Sequence, residues 1–477
     1  MPLHLYDTLT REKRPFEPRE AGKASMYVCG PTVQAEAHVG HGRAAVVFDV
    51  LRRYLVWSGS EVLAVTNVTD VDDKIIIRAG REGTTPSIIA TRYLRAWNDA
   101  MARIGVLPPD VQPLATGHIL EMQELIQLLI DEDKAYVADG NVLFRVRRFE
   151  GYGKLSGRDI DEMVSQDDVV GAEGKDDPLD FAMWKAAKPD EPSWPSPWGP
   201  GRPGWHIECS AMAAKHLGHG FDIHGGGLDL VFPHHENEVA QHEAAHGAPF
   251  ARHWVHNGMV RMGEEKMSKS LGNIVSLVEA EERWGRDALR LWYLSAHHRS
   301  PLTFEDAYLD EGGAAFERLA TWLRTARLVV PDEPGDTPAS HDAVTGPHRE
   351  AFAAAMDDDL NAPKAVAALH ELVSDGYERL KGAEGGDAEA AAAVRALADT
   401  LTELGDEVLG LDLAGTVARD RARGERLAPL VTSLLDDRAS ARAEKDFATS
   451  DRIRDELAAI GIVVEDRPGG VRWYATS

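Results

Sequence analysis

Cysteine is nearly absent from this chain. Cys29 and Cys209 are the two in 477 residues. Two cannot build a disulfide framework, so the expected setting is a reducing cytoplasm. Positive charge is also short: 52 Lys and Arg stand against 78 Asp and Glu, leaving a net charge of −26. That balance weighs against general binding to nucleic-acid phosphates and leaves room only for a local basic strip. No apolar run approaches the roughly 20 residues needed to cross a bilayer, so no membrane association is expected. Met1–Glu20 is polar and lacks the apolar centre of a secretory signal. No internal repeat is evident. What remains is ordinary in composition, 43% hydrophobic, and long enough for several domains.

Ser25–Gly30 reads as a short buried strand ending in a Gly-Pro turn. Val46, Val47, Val50, Leu51, Tyr54 and Leu55 then form one helical stripe that Gly59 stops, and Glu61–Thr69 reads as the next strand. Strand, helix and strand predict a parallel βαβ unit, with ligands at the strand C-termini. Ile75–Asp133 reads as largely helical, Asn141–Arg147 as a strand, and the Pro-, Gly- and Trp-rich Asp176–Gly204 as a long ordered loop. The pattern resumes at Trp205–Cys209, with strands at Phe221–His224 and His253–Val260. The fold class expected is α/β. A Rossmann-like parallel-sheet domain (1–75 and 205–277) carries an insertion (76–204). An all-α bundle (278–413) follows, then a linker at Gly415–Gly424 and a small mixed α/β module (426–477) ending in a hairpin around Pro468-Gly469-Gly470.

Two short motifs suit nucleotide chemistry, the alternatives being surface histidines at a helix cap for the first and a solvated basic loop for the second. In His38-Val39-Gly40-His41 the histidines lie three apart on the first turn of a helix and face the same way. A helix N-terminus suits phosphate, and Gly40 would let an adenine ring lie against the backbone. Lys266-Met267-Ser268-Lys269-Ser270 occupies a polar, glycine-flanked loop suited to closing over pyrophosphate. A third constellation suggests a metal. His234, Glu238 and His242 recur at intervals of four on one helix, so two of them can reach one ion. With Cys29 and Cys209 they make a donor set suited to zinc. Spacing alone leaves open which of them bind, and whether the cysteines are simply buried.

The strings MYVCGPTV, HVGHGRAAVVFDVLRRYL, NVTDVDDKI, PSWPSPWGPGRPGWHIECSAM, FDIHGGGLDLVFPHHENE and EEKMSKSLGN resemble the cysteinyl-tRNA synthetase family, a class I aminoacyl-tRNA synthetase family, over nearly the whole chain. The resemblance implies a cysteine–tRNA ligase that uses ATP with Mg2+, then transfers cysteine to the terminal ribose of tRNA(Cys). It implies one Zn2+ per chain on Cys29, Cys209, His234 and Glu238, resolving the choice between Glu238 and His242. Catalysis falls to His38, His41, Lys266 and Lys269, and ATP binding to these with Gly40, Gly227, Asp229 and Ser268. The cysteine pocket would be formed by Thr69 and Trp205, with His224 near it. A metal that prefers thiolate over hydroxyl would separate cysteine from serine without an editing domain. Val39 replaces the family's usual Ile, and Gln34-Ala35 stands where many relatives have Tyr-Asp. A monomer is expected.

Two further readings come from the residues themselves. Asp70, Asp72 and Asp73 fit either a magnesium site or a capped turn. Arg419, Arg421, Arg423, Arg426, Arg438, Arg442, Lys445, Arg452 and Arg454, with Trp473, fit either an RNA-contacting strip or a mixed-charge solvated surface. The competing acceptor for the same activation chemistry is an amino-sugar such as glucosaminyl-inositol. The ligases that use it tend to end near the helical bundle, so the segment 426–477 favours tRNA.

Overall fold

The computed structural model describes residues 2–163, 174–263, 265–266, 274–331, 342–467 and 470–476. It divides into two compact units. The first holds Met1–Ala315, Glu350–Ala368 and Val408–Gly410; the second holds Phe316–Arg349, Leu369–Glu407 and Leu411–Ser477.

The first unit opens with a hairpin of β1 (His4–Asp7) and β2 (Glu12–Pro15). Then come β3 (Lys23–Val28), α1 (Val39–Trp57) and β4 (Glu61–Thr66), the βαβ unit expected from the pattern. Val46, Val47, Val50, Leu51, Tyr54 and Leu55 are all buried along α1. The turn after β3 is built on Gly30. Its N–H donates to the Asn67 side chain at 2.8 Å, and a Cβ there would sit 1.7 Å from the Asn67 carbonyl oxygen. Only a residue without a side chain allows β3 and β4 to approach so closely at their C-terminal ends.

The insertion contributes α2 (Asp73–Glu82), α3 (Pro86–Arg103), α4 (Ile119–Asp131), β5 (Ala135–Ala138), β6 (Asn141–Phe144), β7 (Phe181–Ala186) and β8 (Gly201–Pro203). The last four strands form one antiparallel sheet in chain order. The Asp176–Gly204 segment is therefore not a loop throughout. Phe181, Met183 and Trp184 bury one strand, and Gly201 and Gly204 let β8 lie close against it. The Pro and Trp residues that suggested a loop belong mainly to the long turn between β7 and β8.

The parallel sheet resumes after α5 (Trp205–Leu217) with β9 (Phe221–Gly227), α6 (Glu236–His246) and β10 (Ala251–Asn257). Strand order is β10-β9-β3-β4, all parallel. The chain leaves β3 toward β4 and β9 toward β10, so the β3–β9 boundary is the topological switch point, where α/β sheets open a crevice at their C-terminal edge. The unit also holds β11 (Val260–Met262), β12 (Glu265–Lys266), α7 (Leu277–Trp284), α8 (Arg286–Leu294) and β13 (Leu302–Phe304).

The remaining elements are helices α9 (Asp306–Val329), α10 (Asp342–Asp357), α11 (Ala362–Glu384), α12 (Ala388–Thr402), α13 (Leu413–Ala443) and α14 (Phe447–Ala459), then the hairpin β14 (Ile462–Arg467) and β15 (Gly470–Ala475). Helix α13 overturns the linker expected at Gly415–Gly424. Its first N–H groups, at Leu413 and Ala414, donate to the Asp406 carboxylate at 2.8 and 3.0 Å. Gly424 is buried where a Cβ would touch Trp473 and Ala475. Among the described residues no helix is long and apolar enough to cross a membrane.

Candidate active site

A cleft of about 940 Å³ opens at the C-terminal edge of the parallel sheet. Cys29, Gly30, His38, Gly40, His41, Trp205, Gly227 and Asp229 all line it, so the chain segments singled out by sequence converge there. Gln34 and Ala35, where the chain departs from the family pattern, also line it.

His38 is the N-cap of α1 and His41 its third residue. His38 Nδ1 accepts the Gly40 N–H at 3.1 Å, and His41 Nδ1 accepts the His38 N–H at 3.2 Å. The rings stack at 3.6 Å. Accepting through Nδ1 fixes each neutral ring as the tautomer with its proton on Nε2. Both thus become N–H donors at a helix N-terminus, where anions are favoured. A Cβ on Gly40 would press on the His38 ring at 3.0 Å.

Lys266 ends β12, paired with Arg261 of β11. Ser268 and Lys269 lie outside the described residues. The chain resumes beside the histidine motif: Ser276 bridges His38, and the Val39 N–H donates to the Val275 carbonyl at 3.1 Å.

Cys29 lines the cleft, and one ligand atom each from Cys29, Cys209, His234 and Glu238 falls within 4.8 Å of the others. The thiols are 3.6 Å apart, Cys29 Sγ is 3.5 Å from Glu238 Oε1, and His234 Nε2 is 2.9 Å from the same oxygen. Two thiolates on one tetrahedral zinc, with Zn–S near 2.3 Å, would stand about 3.8 Å apart. The donors come from the end of β3, from α5, from the π-type turn Val231–His235 and from α6. His242 is not among them. Residues eight apart on an α-helix are about 80° out of register, and His242 instead meets His219 and His246.

The donors are held from behind. His234 Nδ1 lies 2.9 Å from His206 Nδ1, and Glu238 Oε2 lies 2.7 Å from His224 Nε2. His235 Nε2 sits 3.3 Å from Cys29 Sγ, while its Nδ1 meets His256 Nε2 at 2.8 Å; His256 in turn meets Thr8. Such partners orient metal ligands and set their tautomers. A second grouping, Cys29 with His224, His235 and Glu238, is equally compact, but it carries one thiol rather than two. Burial opposes ionisation of Cys209. Hydrogen bonds from Cys29 and His234 outweigh it and bring that thiol down to about 6, while burial pushes the Cys29 thiol up. Burial also opposes charge on Glu238, yet His224 and His234 hold its carboxyl well below the usual range.

Trp205 stacks on His234 at 4.2 Å and faces the cleft. Thr69 and His224 do not line the cleft. Thr69 is buried and donates to Glu208 at 2.6 Å, and His224 is sandwiched against Trp254 at 4.4 Å. Glu208, His206, His235 and His256 escaped the sequence reading; their strings carry no spacing that marks them.

The acidic turn resolves as structure. Asp72 caps α2 through the Lys74 N–H, Asp70 accepts from Thr116, and Asp73 binds Lys185 and Arg202. In the second unit Arg419 pairs with Asp412, Arg421 with Glu425, Arg452 with Glu456, and Arg438 and Arg442 both clasp Asp466. Arg419, Arg421, Arg442 and Arg452 are thus interleaved with acidic partners at the surface, while Arg438 is buried.

The model of the tRNA synthetases class I (C) catalytic domain matches residues 15–313, a DALR domain 351–414, and a cysteinyl-tRNA ligase anticodon binding domain 424–473. The cysteine–tRNA ligases of Brevibacillus brevis and Methylobacillus flagellatus are each 46% identical, and that of Solidesulfovibrio magneticus 48%. In each case 99% of both chains is covered. Among solved structures, Mycobacterium tuberculosis methionyl-tRNA synthetase in complex with methionyl-adenylate superposes with a TM-score of 0.61. It is 16% identical, over 83% of this chain and 93% of that one, a likeness of fold.

Proposed function

The chain belongs to the cysteine–tRNA ligase family of class I aminoacyl-tRNA synthetases, and on that premise we propose how its cleft selects and activates cysteine. The activity is ATP-dependent ligation of cysteine to tRNA. The observation that carries the site assignment is one cleft lined both by the stacked His38–His41 pair and by Cys29, which belongs to a buried two-thiol donor set.

Cys29, Cys209, His234 and Glu238 would hold Zn2+, which would supply a borderline Lewis acid that favours a thiolate over a hydroxyl. Trp205 closes the cleft beside His234. Thr69 acts through Glu208, and His224 holds Glu238 in place for the substrate. The cysteine carboxylate oxygen attacks the α-phosphorus of ATP, which carries Mg2+, and the bond to pyrophosphate breaks. His38 and His41 donate Nε2–H to the phosphoryl oxygens as charge builds, a preorganised contribution worth about 2.7–4 kcal/mol per donor. Gly40 leaves room for adenine; Gly227 and Asp229 lie by the ribose or the substrate amine. Lys266, Ser268 and Lys269 stabilise the leaving pyrophosphate. The terminal ribose hydroxyl of tRNA(Cys) then takes the cysteinyl group and AMP leaves. No side chain becomes covalently attached. Catalysis rests on positioning and charge stabilisation.

The catalytic domain spans 1–75 and 205–277, the connective insertion 76–204, the stem-contacting bundle 278–413 and the anticodon module 426–477. The chain works as a monomer in the cytoplasm. The test supplies labelled cysteine and ATP with tRNA, and separately with glucosaminyl-inositol. Stable cysteinyl-tRNA is expected. Transfer to the amino-sugar alone would overturn the acceptor and the role of 426–477.

A further inference from the structure

A second cluster of metal-competent side chains lies outside the cleft. His242 and His246 stand one turn apart on α6. His219 joins them from the turn between α5 and β9, where Gly218 and Gly220, both at positive φ (74° and 59°), fold the chain over. One nitrogen from each ring falls within 4.8 Å of the other two. The ring centroids are 4.5, 4.7 and 5.0 Å apart. We propose that His219, His242 and His246 form a second metal site, for a late first-row divalent ion such as Zn2+ or Ni2+, which ties the far end of α6 to the α5–β9 turn.

The distances suit one ion. His219 Nδ1 lies 3.1 Å from His242 Nε2. Two imidazole nitrogens on a tetrahedral or octahedral ion, with bonds of 2.0–2.1 Å, stand about 2.9–3.4 Å apart. An N–H···N hydrogen bond gives a similar separation, so the third ring decides, since a bare pair does not need it. His242 Nδ1 has no hydrogen-bond partner among the described residues. The contact to His219 is thus the ring's only hydrogen bond there, and an ion would replace it.

The surroundings also fit. His242 is fully buried, with Phe250 at 4.5 Å walling one side. Burial, then the neighbouring His246 and His219, pushes His242 down to about 3; burial and His219 also lower His246. Both rings are therefore neutral at pH 7 with lone pairs to offer. His246 lies in the last turn of α6, where the helix dipole favours a cation. Arg19 is turned onto the His219 carbonyl at 3.0 Å, and Glu243, beside His242 in sequence, pairs with Lys154. Three imidazoles without a carboxylate favour zinc, nickel, cobalt or copper over magnesium or calcium. The group of His297, His298 and Asp359 is a weaker candidate, because Arg299 and the Tyr6 N–H already engage Asp359 at 2.7 and 2.8 Å.

The test uses the full chain, stripped with a chelator and re-equilibrated with Zn2+, beside a His219→Ala/His246→Ala variant. Neither substituted residue is buried, so the fold should survive, and cysteine-dependent pyrophosphate exchange checks that it does. Bound metal is counted by mass spectrometry. Two ions per wild-type chain and one per variant chain are expected. Co2+ separates the two centres. The thiolate site gives near-ultraviolet charge-transfer absorption, which the variant keeps; the imidazole site gives ligand-field bands, part of which the variant loses. A wild-type chain whose only Co2+ signal is that of the thiolate site, or a variant with an undiminished metal count, would overturn the proposal. Failure of the cleft assignment would appear separately, as a missing charge-transfer band.

Discussion

Arg290 of α8 offers the sharpest test of how the fold holds the catalytic helix. Its guanidinium is fully buried. It donates to Asp49 Oδ2 on α1 at 2.6 Å, to the Leu409 carbonyl at 2.7 and 3.0 Å, and to the Ile104 carbonyl at 3.0 Å. Asp49 is equally buried and also accepts from Arg53 Nε and the Leu107 N–H at 2.9 Å each. Replacing Arg290 by Met keeps much of the volume but takes from the buried Asp49 carboxylate its fully buried cation, leaving it Arg53 and the Leu107 N–H. Breaking a buried pair from one side costs about 3–5 kcal/mol, whereas removing both charges together costs far less. At 2–4 °C per kcal/mol for domains of 150–250 residues, and toward the low end for a larger unit, Arg290→Met should lower the first unit's melting temperature by about 6–10 °C. Asp49→Asn/Arg290→Met should recover a substantial part of it. Burial opposes charge on Asp49, but Arg290 and Arg53 win and depress its pKa. The stability from that pair is therefore fully present above the unfolded carboxyl value of 3.8 and is lost as pH falls through the lower folded value. In Arg290→Met the share that Arg290 supplies disappears while Arg53 keeps its own, so the gap between wild type and variant should narrow as Asp49 protonates at acid pH. The assay is differential scanning fluorimetry at neutral pH and at progressively lower pH. A shift under about 2 °C, or a double variant no better than the single one, would refute the reasoning.

Two other perturbations address the cleft. Gly30→Ala places a methyl against the Asn67 carbonyl and should yield a chain that melts lower and loses cysteine activation. Wild-type melting and activity would mean the β3–β4 edge can open freely. Lys269→Ala should reduce cysteine-dependent pyrophosphate exchange about 100-fold while leaving cysteine binding by calorimetry nearly intact; unchanged exchange would remove Lys269 from the reaction.

Periodicity alone located β3, α1 and β4, because one stripe of α1 meets one face of the sheet. The C-terminal hairpin was legible for a similar reason: two short β-branched and aromatic runs flank a Pro-Gly-Gly turn. Strand β7 was hidden because its neighbours in sequence are turn-formers, although Phe181, Met183 and Trp184 bury it. Gly415 and Gly424 misled in the opposite sense, since both lie inside α13, and Gly415 sits where a Cβ would press on the Asp412 carboxylate. The four metal donors were named through the family resemblance, as spacing could not choose between Glu238 and His242. The groups behind them were invisible for another reason. His256 reaches Thr8 across 248 residues, and Thr69 reaches Glu208 across 139. No local pattern encodes contacts of that length. Asp73 read as a possible magnesium ligand until Lys185 and Arg202 appeared beside it.

The measurement closest to the central claim is zinc content together with cysteine and serine activation in wild type and Cys209→Ser. With Cys209 buried 3.6 Å from Cys29, the account predicts that the variant loses the ion held in the cleft, most cysteine-dependent pyrophosphate exchange and the preference for cysteine over serine. A variant that keeps that ion at full stoichiometry and still prefers cysteine would contradict it.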